Sequence, residues 1–119
     1  MKTPKFLGKW QIYEMDLWDV EESDEEEQAY IQIDSDGSGQ FQFALVSGDI
    51  DGEIISGRGE ERFEFTWEGA DECDTVFGAG WIQLKDKDTL EGKIKFHRGD
   101  SSGFLAKRIK SKPRKSTKK

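Results

Sequence analysis

Three segments of this sequence alternate between apolar or small residues and residues that, apart from Ala44, are polar, and no other feature limits the fold so strongly. The apolar side consists of Phe41, Phe43 and Leu45 in the first segment, Phe63, Phe65 and Trp67 in the second, and Leu90, Gly92, Ile94 and Phe96 in the third. Successive side chains of an extended chain point to opposite faces. Each segment therefore predicts a strand with one buried and one exposed face, which is typical of antiparallel sheets.

Seven breaks divide the chain into eight predicted strands. Five of them are short and rich in glycine or aspartate, at 34–39, 47–49, 56–59, 85–88 and 98–100, and two longer interruptions lie at 20–28 and 68–74. Glycine and aspartate tolerate the positive φ that tight hairpins need. The predicted strands are 6–18, 28–34, 40–47, 50–56, 61–68, 76–85, 89–97 and 102–109. Pro4 and Pro113 fall outside them, as a hydrogen-bonded sheet requires.

Eight antiparallel strands joined in series leave two unpaired edges unless the first strand pairs with the last. Closure removes those edges, and eight strands enclose an interior that side chains can fill. We therefore predict an all-β fold, an antiparallel meander closed into an up-and-down barrel. A two-sheet sandwich of the same strands is the alternative, since the pattern does not separate the two.

The charge distribution divides the chain into a domain and a tail. All 25 acidic residues of the 119-residue chain lie within 1–106, whereas 107–119 holds eight of the 18 basic residues and no acid. We predict a single β-barrel domain over 1–109 and a disordered basic tail over 110–119. The acidic run 20–28 predicts a solvated loop. A negative domain repels nucleic acid, so we expect such binding to be weak and confined to the tail.

Three absences indicate the cellular compartment. The first residues lead into a strand-like segment without an apolar signal region, and no apolar run approaches the length of a membrane span. The one cysteine, Cys73, excludes an intramolecular disulfide. We expect a cytoplasmic protein that does not associate with membranes.

The two ends of the predicted barrel carry a resemblance to known proteins. Phe6-Leu7-Gly8-Lys9-Trp10 places a G-x-W at the first strand, and Phe104-Leu105-Ala106-Lys107-Arg108 ends the last. This resembles the lipocalin and wider calycin superfamily. The resemblance implies that Trp10 closes one barrel end, that Arg108 or Lys107 lies across it as a cation–π pair, and that the barrel holds a small apolar ligand. A T-D-Y-like second lipocalin motif is missing from the sequence.

A second pattern runs from the fifth strand into the sixth. It comprises Trp67-Glu68-Gly69, Asp71-Glu72, Asp74, Gly78, Gly80 and Trp81. This pattern is similar to that of a group of small uncharacterised bacterial proteins, and it implies no activity. On these grounds the candidate ligand-binding residues at the barrel mouth are Trp10, Trp67, Trp81 and Arg108.

Large side chains argue against a spacious interior. Those predicted to face inward are Trp10, Ile33, Phe41, Phe43, Phe63, Phe65, Trp67 and Phe96. So many bulky groups nearly fill an eight-stranded barrel, so a packed core is favoured over a lined cavity.

The acidic residues Glu68, Asp71, Glu72 and Asp74 form a second candidate site. They predict an interaction surface for a basic protein partner. A site for a cation such as Ca²⁺ and a merely solvated loop are the alternatives. His97 is the only histidine, and we find no catalytic set, no metal site and no cofactor motif.

Two functional hypotheses remain from the sequence. The first is a non-enzymatic binding module for a small apolar ligand at the barrel mouth. The second is an accessory protein-interaction domain that presents an acidic surface to a basic partner. An interior pocket would favour the first, and a filled core beside an exposed patch of acids and aromatic residues would favour the second.

Overall fold

Eight strands make up the regular structure of the residues that the computed structural model describes, which are 5–17, 29–57 and 60–109. The strands are β1 (Gly8–Met15), β2 (Tyr30–Ile33), β3 (Ser38–Phe43), β4 (Val46–Gly57), β5 (Glu60–Asp71), β6 (Asp74–Asp86), β7 (Thr89–Phe96) and β8 (Ser101–Arg108). The predicted tail 110–119 and the acidic run 20–28 lie outside the described residues. No helix among the described residues is long and apolar enough to cross a membrane.

Each strand pairs antiparallel with the next along the chain, and β8 pairs with β1. The order β1 to β8 therefore closes into a barrel, which confirms the predicted fold class, and the two-sheet alternative is not adopted. The longest shared ladder joins β4 and β5, whose partners run from Val46 opposite Asp71 to Gly57 opposite Glu60. This β4–β5 hairpin carries the outer surface considered below.

Aromatic rings from neighbouring strands fill the interior. Of the eight side chains predicted to face inward, seven are buried and Phe96 is half-buried. The Trp67 ring meets Phe41 and Phe96 edge-on, with ring centroids 5.0 and 5.1 Å apart. Because such contacts repeat around the barrel, burial of these rings is the main source of its stability.

Glycines at inward-facing strand positions make room for these rings. A β-carbon on Gly48 would lie 2.7 Å from Cζ of Phe41 and 2.8 Å from Cε3 of Trp67. One on Gly80 would lie 2.6 Å from Cζ of Phe65. Small and large residues thus alternate across the interior, as they commonly do in small barrels.

The turn between β3 and β4 differs from the prediction. The break at 47–49 was wrong, because the chain reverses at Ala44-Leu45, with a φ of 51° at Ala44, and 47–49 belong to β4. Leu45 was also placed on the buried side, but 64% of its surface is exposed. Ser47-Gly48-Asp49 has turn-like composition, yet its glycine serves the packing of Phe41 and Trp67.

The turn between β5 and β6 is shorter than the predicted interruption at 68–74. β5 continues to Asp71, β6 begins at Asp74, and only Glu72 and Cys73 form the turn. Glu72 has a positive φ of 57°. The two ends of the barrel are therefore distinct. We call one the Trp10 end, where β8 finishes at Arg108, and the other the hairpin end, which carries the turns at 44–45 and 72–73.

Candidate functional site

The Trp10 end is closed by an aromatic ring beneath a guanidinium group. Trp10 is fully buried, and its Nε1 donates a hydrogen bond to the carbonyl oxygen of Phe6 at 3.0 Å. The Cζ atom of Arg108 lies 4.2 Å from the centre of the Trp10 ring. Lys107 instead lies over Tyr13, at 5.6 Å. Arg108 is therefore the residue that makes the cation–π contact with Trp10.

The guanidinium of Arg108 also donates hydrogen bonds to backbone carbonyl oxygens. Its Nη1 donates to Leu7 at 3.0 Å, and its Nη2 donates to Lys87 at 3.2 Å and to Lys5 at 3.4 Å. Its Nε lies 3.5 Å from a carboxylate oxygen of Asp88. Since the guanidinium joins three separate segments of this chain, its geometry is that of a structural closure.

The other two tryptophans of the candidate ligand set lie elsewhere. Trp67 is buried among the interior rings, and its Nε1 donates to the carbonyl of Lys95 at 3.3 Å. Trp81 is on the outer wall, where the guanidinium of Arg62 lies 4.0 Å from its ring centre. Trp10, Trp67 and Trp81 therefore occupy one end, the interior and the outside of the barrel, and they do not converge on one mouth.

The four acids predicted as an interaction surface also divide between two places. Asp71 and Asp74 are cross-strand partners beside the turn that contains Glu72, whereas Glu68 points outward from β5. Within the described residues, no three His, Cys, Asp or Glu side chains are grouped to hold a metal ion. Glu68 instead lies directly opposite Asp49 of β4.

This pairing reveals a larger acidic surface that the sequence prediction missed. We call it the acidic wall; its members are Asp49, Asp51 and Glu53 of β4 and Glu64 and Glu68 of β5, all of them exposed. Asp49 faces Glu68 and Glu53 faces Glu64 as direct cross-strand partners. Like charges in such positions destabilise a sheet. The sequence feature that indicates this surface is the alternation Asp49-Ile50-Asp51-Gly52-Glu53. It can be recognised as one strand face only when the turn is placed at 44–45.

Two depressions of the outer surface adjoin the acidic wall. The larger, about 510 Å³, crosses β4, β5 and β6, and its lining includes the carboxylates of Asp51, Glu53 and Glu64 beside the small residues Ala79 and Gly80. The smaller, about 170 Å³, lies toward β2 and β3, and its lining includes Asp49 and Glu68. Every member of the wall therefore borders one of these two depressions.

The wall forms no ion pair with the described part of this chain, although Arg62 shares the outer face of β5 with Glu64 and lies over Trp81, the cross-strand partner of Glu64. None of its five carboxylates has a lysine or arginine nitrogen within 4 Å among the described residues. The outward lysines of β7, Lys93 and Lys95, are separated from β5 by the outer face of β6. That face of β6 carries Phe77, Ala79 and Trp81. Around the barrel, the acids of β4 and β5 are therefore followed by apolar groups on β6 and then by the lysines of β7.

No protein-family model, curated protein or solved structure matches this chain. The architecture is compatible with the calycin-like resemblance of the two chain ends, but a fold alone does not define an activity. The acidic wall, through its charge and its shape, is therefore the feature of this barrel that bears on function.

Proposed function

We propose that this protein is a non-enzymatic interaction module whose acidic wall binds a basic segment of a partner protein. The observation that carries the proposal is the direct cross-strand pairing of like charges, Asp49 with Glu68 and Glu53 with Glu64. Such pairs reduce the stability of the free protein. A cationic partner would relieve their repulsion, so the arrangement is advantageous in a complex.

Charge and shape both favour a basic peptide over other partners. A polyanion such as nucleic acid would be repelled by five exposed carboxylates. Lysine or arginine side chains would enter the depression lined by Asp51, Glu53 and Glu64. Attraction of this kind raises the association rate and weakens with added salt.

The apolar-ligand hypothesis has less support from the geometry. Its residues are dispersed, and the polar groups of Arg108 already bind backbone carbonyls. The contact between Arg108 and Trp10 supports a calycin-like origin for the barrel, since the resemblance implied that pair. The cytoplasmic location stays a prediction.

The test is the binding of a fluorescein-labelled, end-blocked peptide of alternating lysine and threonine, followed by anisotropy at low and high salt. The wall variant is Glu53→Gln/Glu64→Gln, and the matched control is Glu14→Gln/Glu91→Gln. The control removes the same net charge from exposed or half-exposed positions on β1 and β7. We expect the wall variant to bind about tenfold more weakly and the control to change by less than about twofold. Equal weakening of both would mean that binding follows net charge, and the proposal would be wrong.

A further inference from the structure

One side of β4 has no partner strand among the described residues over its last positions. β3 pairs with β4 only as far as Ser38 opposite Asp51, and one more bond follows, from the Gly52 nitrogen to the Gly37 carbonyl at 2.9 Å. β5, by contrast, pairs with β4 as far as Gly57. Among the described residues, no strand covers β4 on the β3 side after Gly52. We call residues 53–56 the free edge.

The backbone groups that point to the free edge follow from the pattern of the ladder. In an antiparallel strand, the N–H and C=O groups of successive residues point alternately to its two sides. Because the N–H of Gly52 points toward β3, those of Ile54 and Ser56 point the same way. The groups of Glu53 and Ile55 then point toward β5. Ile54 and Ser56 therefore offer hydrogen-bonding groups to an added strand.

The free edge is continuous with the acidic wall. Glu53 belongs to both, and Asp51 precedes it on the same outer face. In a strand added beside β4, alternate side chains would share that outer face. Basic residues at those positions would lie beside Glu53 and could extend across the outer face of β4 toward Glu64, while the backbone between them binds Ile54 and Ser56.

We propose that the free edge of β4 takes up an extended basic segment of a partner protein as an additional β-strand. This inference rests on the proposed function of the acidic wall and specifies how the partner is held. Backbone hydrogen bonds would supply affinity, and the carboxylates would select lysine or arginine at every second residue. The bound segment would need free N–H groups, so proline would be excluded at the intervening positions.

Charge argues against one other occupant, and a proline argues against another. A second copy of this chain, with a net charge of −7, would bring Glu53 of one molecule toward acids of the other. The segment 110–119 of the same chain is basic, and its ten residues could span about 33 Å when extended. If Lys110, Lys112 and Arg114 lay over the wall, however, Pro113 would face the edge without an N–H group.

The experiment compares the lysine–threonine peptide with a counterpart N-methylated at every threonine, which has the same charge. We expect the N-methylated peptide to bind at least about tenfold more weakly, because two or more backbone hydrogen bonds are lost. On the protein side, Ser56→Pro removes the N–H of the free edge, and Ser56→Ala is the matched control that keeps it. Ser56→Pro should weaken binding about tenfold, and Ser56→Ala should leave it unchanged.

Amide hydrogen exchange gives a readout that does not depend on any variant folding. In the free full-length chain, the amides of Ile54 and Ser56 should exchange faster than those of Glu53 and Ile55. Addition of the peptide should slow exchange at Ile54 and Ser56 selectively.

The outcomes separate this inference from the proposal on which it rests. If both peptides bind equally, and charge removal at Glu53 and Glu64 still weakens them, the acidic wall is functional but strand addition is wrong. If neither peptide binds at low salt, both proposals are wrong. If Ile54 and Ser56 are already protected in the free chain and lose protection when Lys110, Lys112 and Arg114 are replaced by glutamine, the occupant is the chain's own segment and the inference is overturned.

Discussion

Arg108 lies across Trp10, with 4.2 Å between its Cζ atom and the centre of the indole ring. The same guanidinium donates to carbonyls of the segment before β1 and of the β6–β7 turn. One side chain therefore ties the last strand to the first and covers the end of the core. Substitution of Arg108 should affect the stability of the whole barrel.

We expect Arg108→Lys to lower the free energy of unfolding by about 1–3 kcal/mol. Lysine keeps the charge, but a single ammonium group cannot reach three carbonyls and also lie flat on the Trp10 ring. Urea denaturation followed by tryptophan fluorescence gives the measurement. The control is Lys107→Arg at an exposed position, which should change stability by less than about 0.5 kcal/mol. Equal stability of Arg108→Lys and the wild-type protein would show that the closure is not structural.

The glycine at position 48 provides a second test of the interior. We expect Gly48→Ala to destabilise the barrel by about 1–3 kcal/mol, because the added β-carbon would overlap Phe41 and Trp67. At a site without such contacts, the same change would stabilise by restricting the unfolded chain. Ser47→Ala, on the adjacent exposed position, is the control.

A double-mutant cycle can assign that effect to a particular contact. Phe41→Leu removes the ring that the new methyl group would meet, so Gly48→Ala should cost less in the Phe41→Leu background than in the wild type. Additive effects of the two substitutions on thermal or urea unfolding would mean that Gly48 is not required for the packing of Phe41.

The alternation of large rings was sufficient to predict which side chains are buried. Phe63, Phe65 and Trp67 are buried as their spacing indicated, because a two-residue period leaves only one way to place three rings on one face. That a basic residue at the end of the last strand, Arg108 or Lys107, lies over Trp10 was also available from the sequence through the resemblance of the two chain ends, and the structure shows that it is Arg108. Local pattern determines which face is buried, and the number of strands favours closure.

The acidic wall could not be predicted in the same way. Its members come from two strands, and they become neighbours only through the register that sets Glu53 opposite Glu64. The prediction that 47–49 form a turn removed Asp49 from the strand and hid the relation. Glycine suits a turn because of its conformational freedom and a packed core because of its small size. Gly48 was predicted to lie in a turn, whereas its small size makes room in the core. Only tertiary packing distinguishes the two roles.

The β6–β7 turn provides a test by pH. The N–H of Asp88 donates to a carboxylate oxygen of Asp86 at 2.9 Å, and this bond lowers the pKa of Asp86 below its usual value. A lowered pKa in the folded state contributes stability above the ordinary aspartate pKa of about 3.9, and this contribution is lost as the pH falls through the folded-state pKa.

The comparison is between the wild type and Asp86→Asn, which can keep the turn but not the charge. We expect the wild type to be the more stable of the two near neutral pH and the difference in melting temperature to shrink below about pH 4. Asp86 is exposed, so the effect should be small and should weaken with added salt. A difference that stays constant from acid to neutral pH would contradict this account.

Removal of a carboxylate from the acidic wall should stabilise the protein although it weakens binding of the basic peptide. Glu53 and Glu64 face each other directly, so Glu64→Gln should raise the free energy of unfolding by about 0.2–1 kcal/mol at low salt. The gain should decrease in high salt because screening already reduces the repulsion.

Glu91→Gln is the control for that substitution, since Glu91 faces Gln83 and Leu105 and has no acid directly opposite. It should bring little change at either salt concentration. Residues that bind a partner are often retained although they lower stability, so a stabilising Glu64→Gln that also weakens binding of the basic peptide is the combination we expect. If Glu64→Gln instead destabilises the protein at low salt, the carboxylates of Glu53 and Glu64 do not repel each other. The observation that carries the proposed function would then be lost.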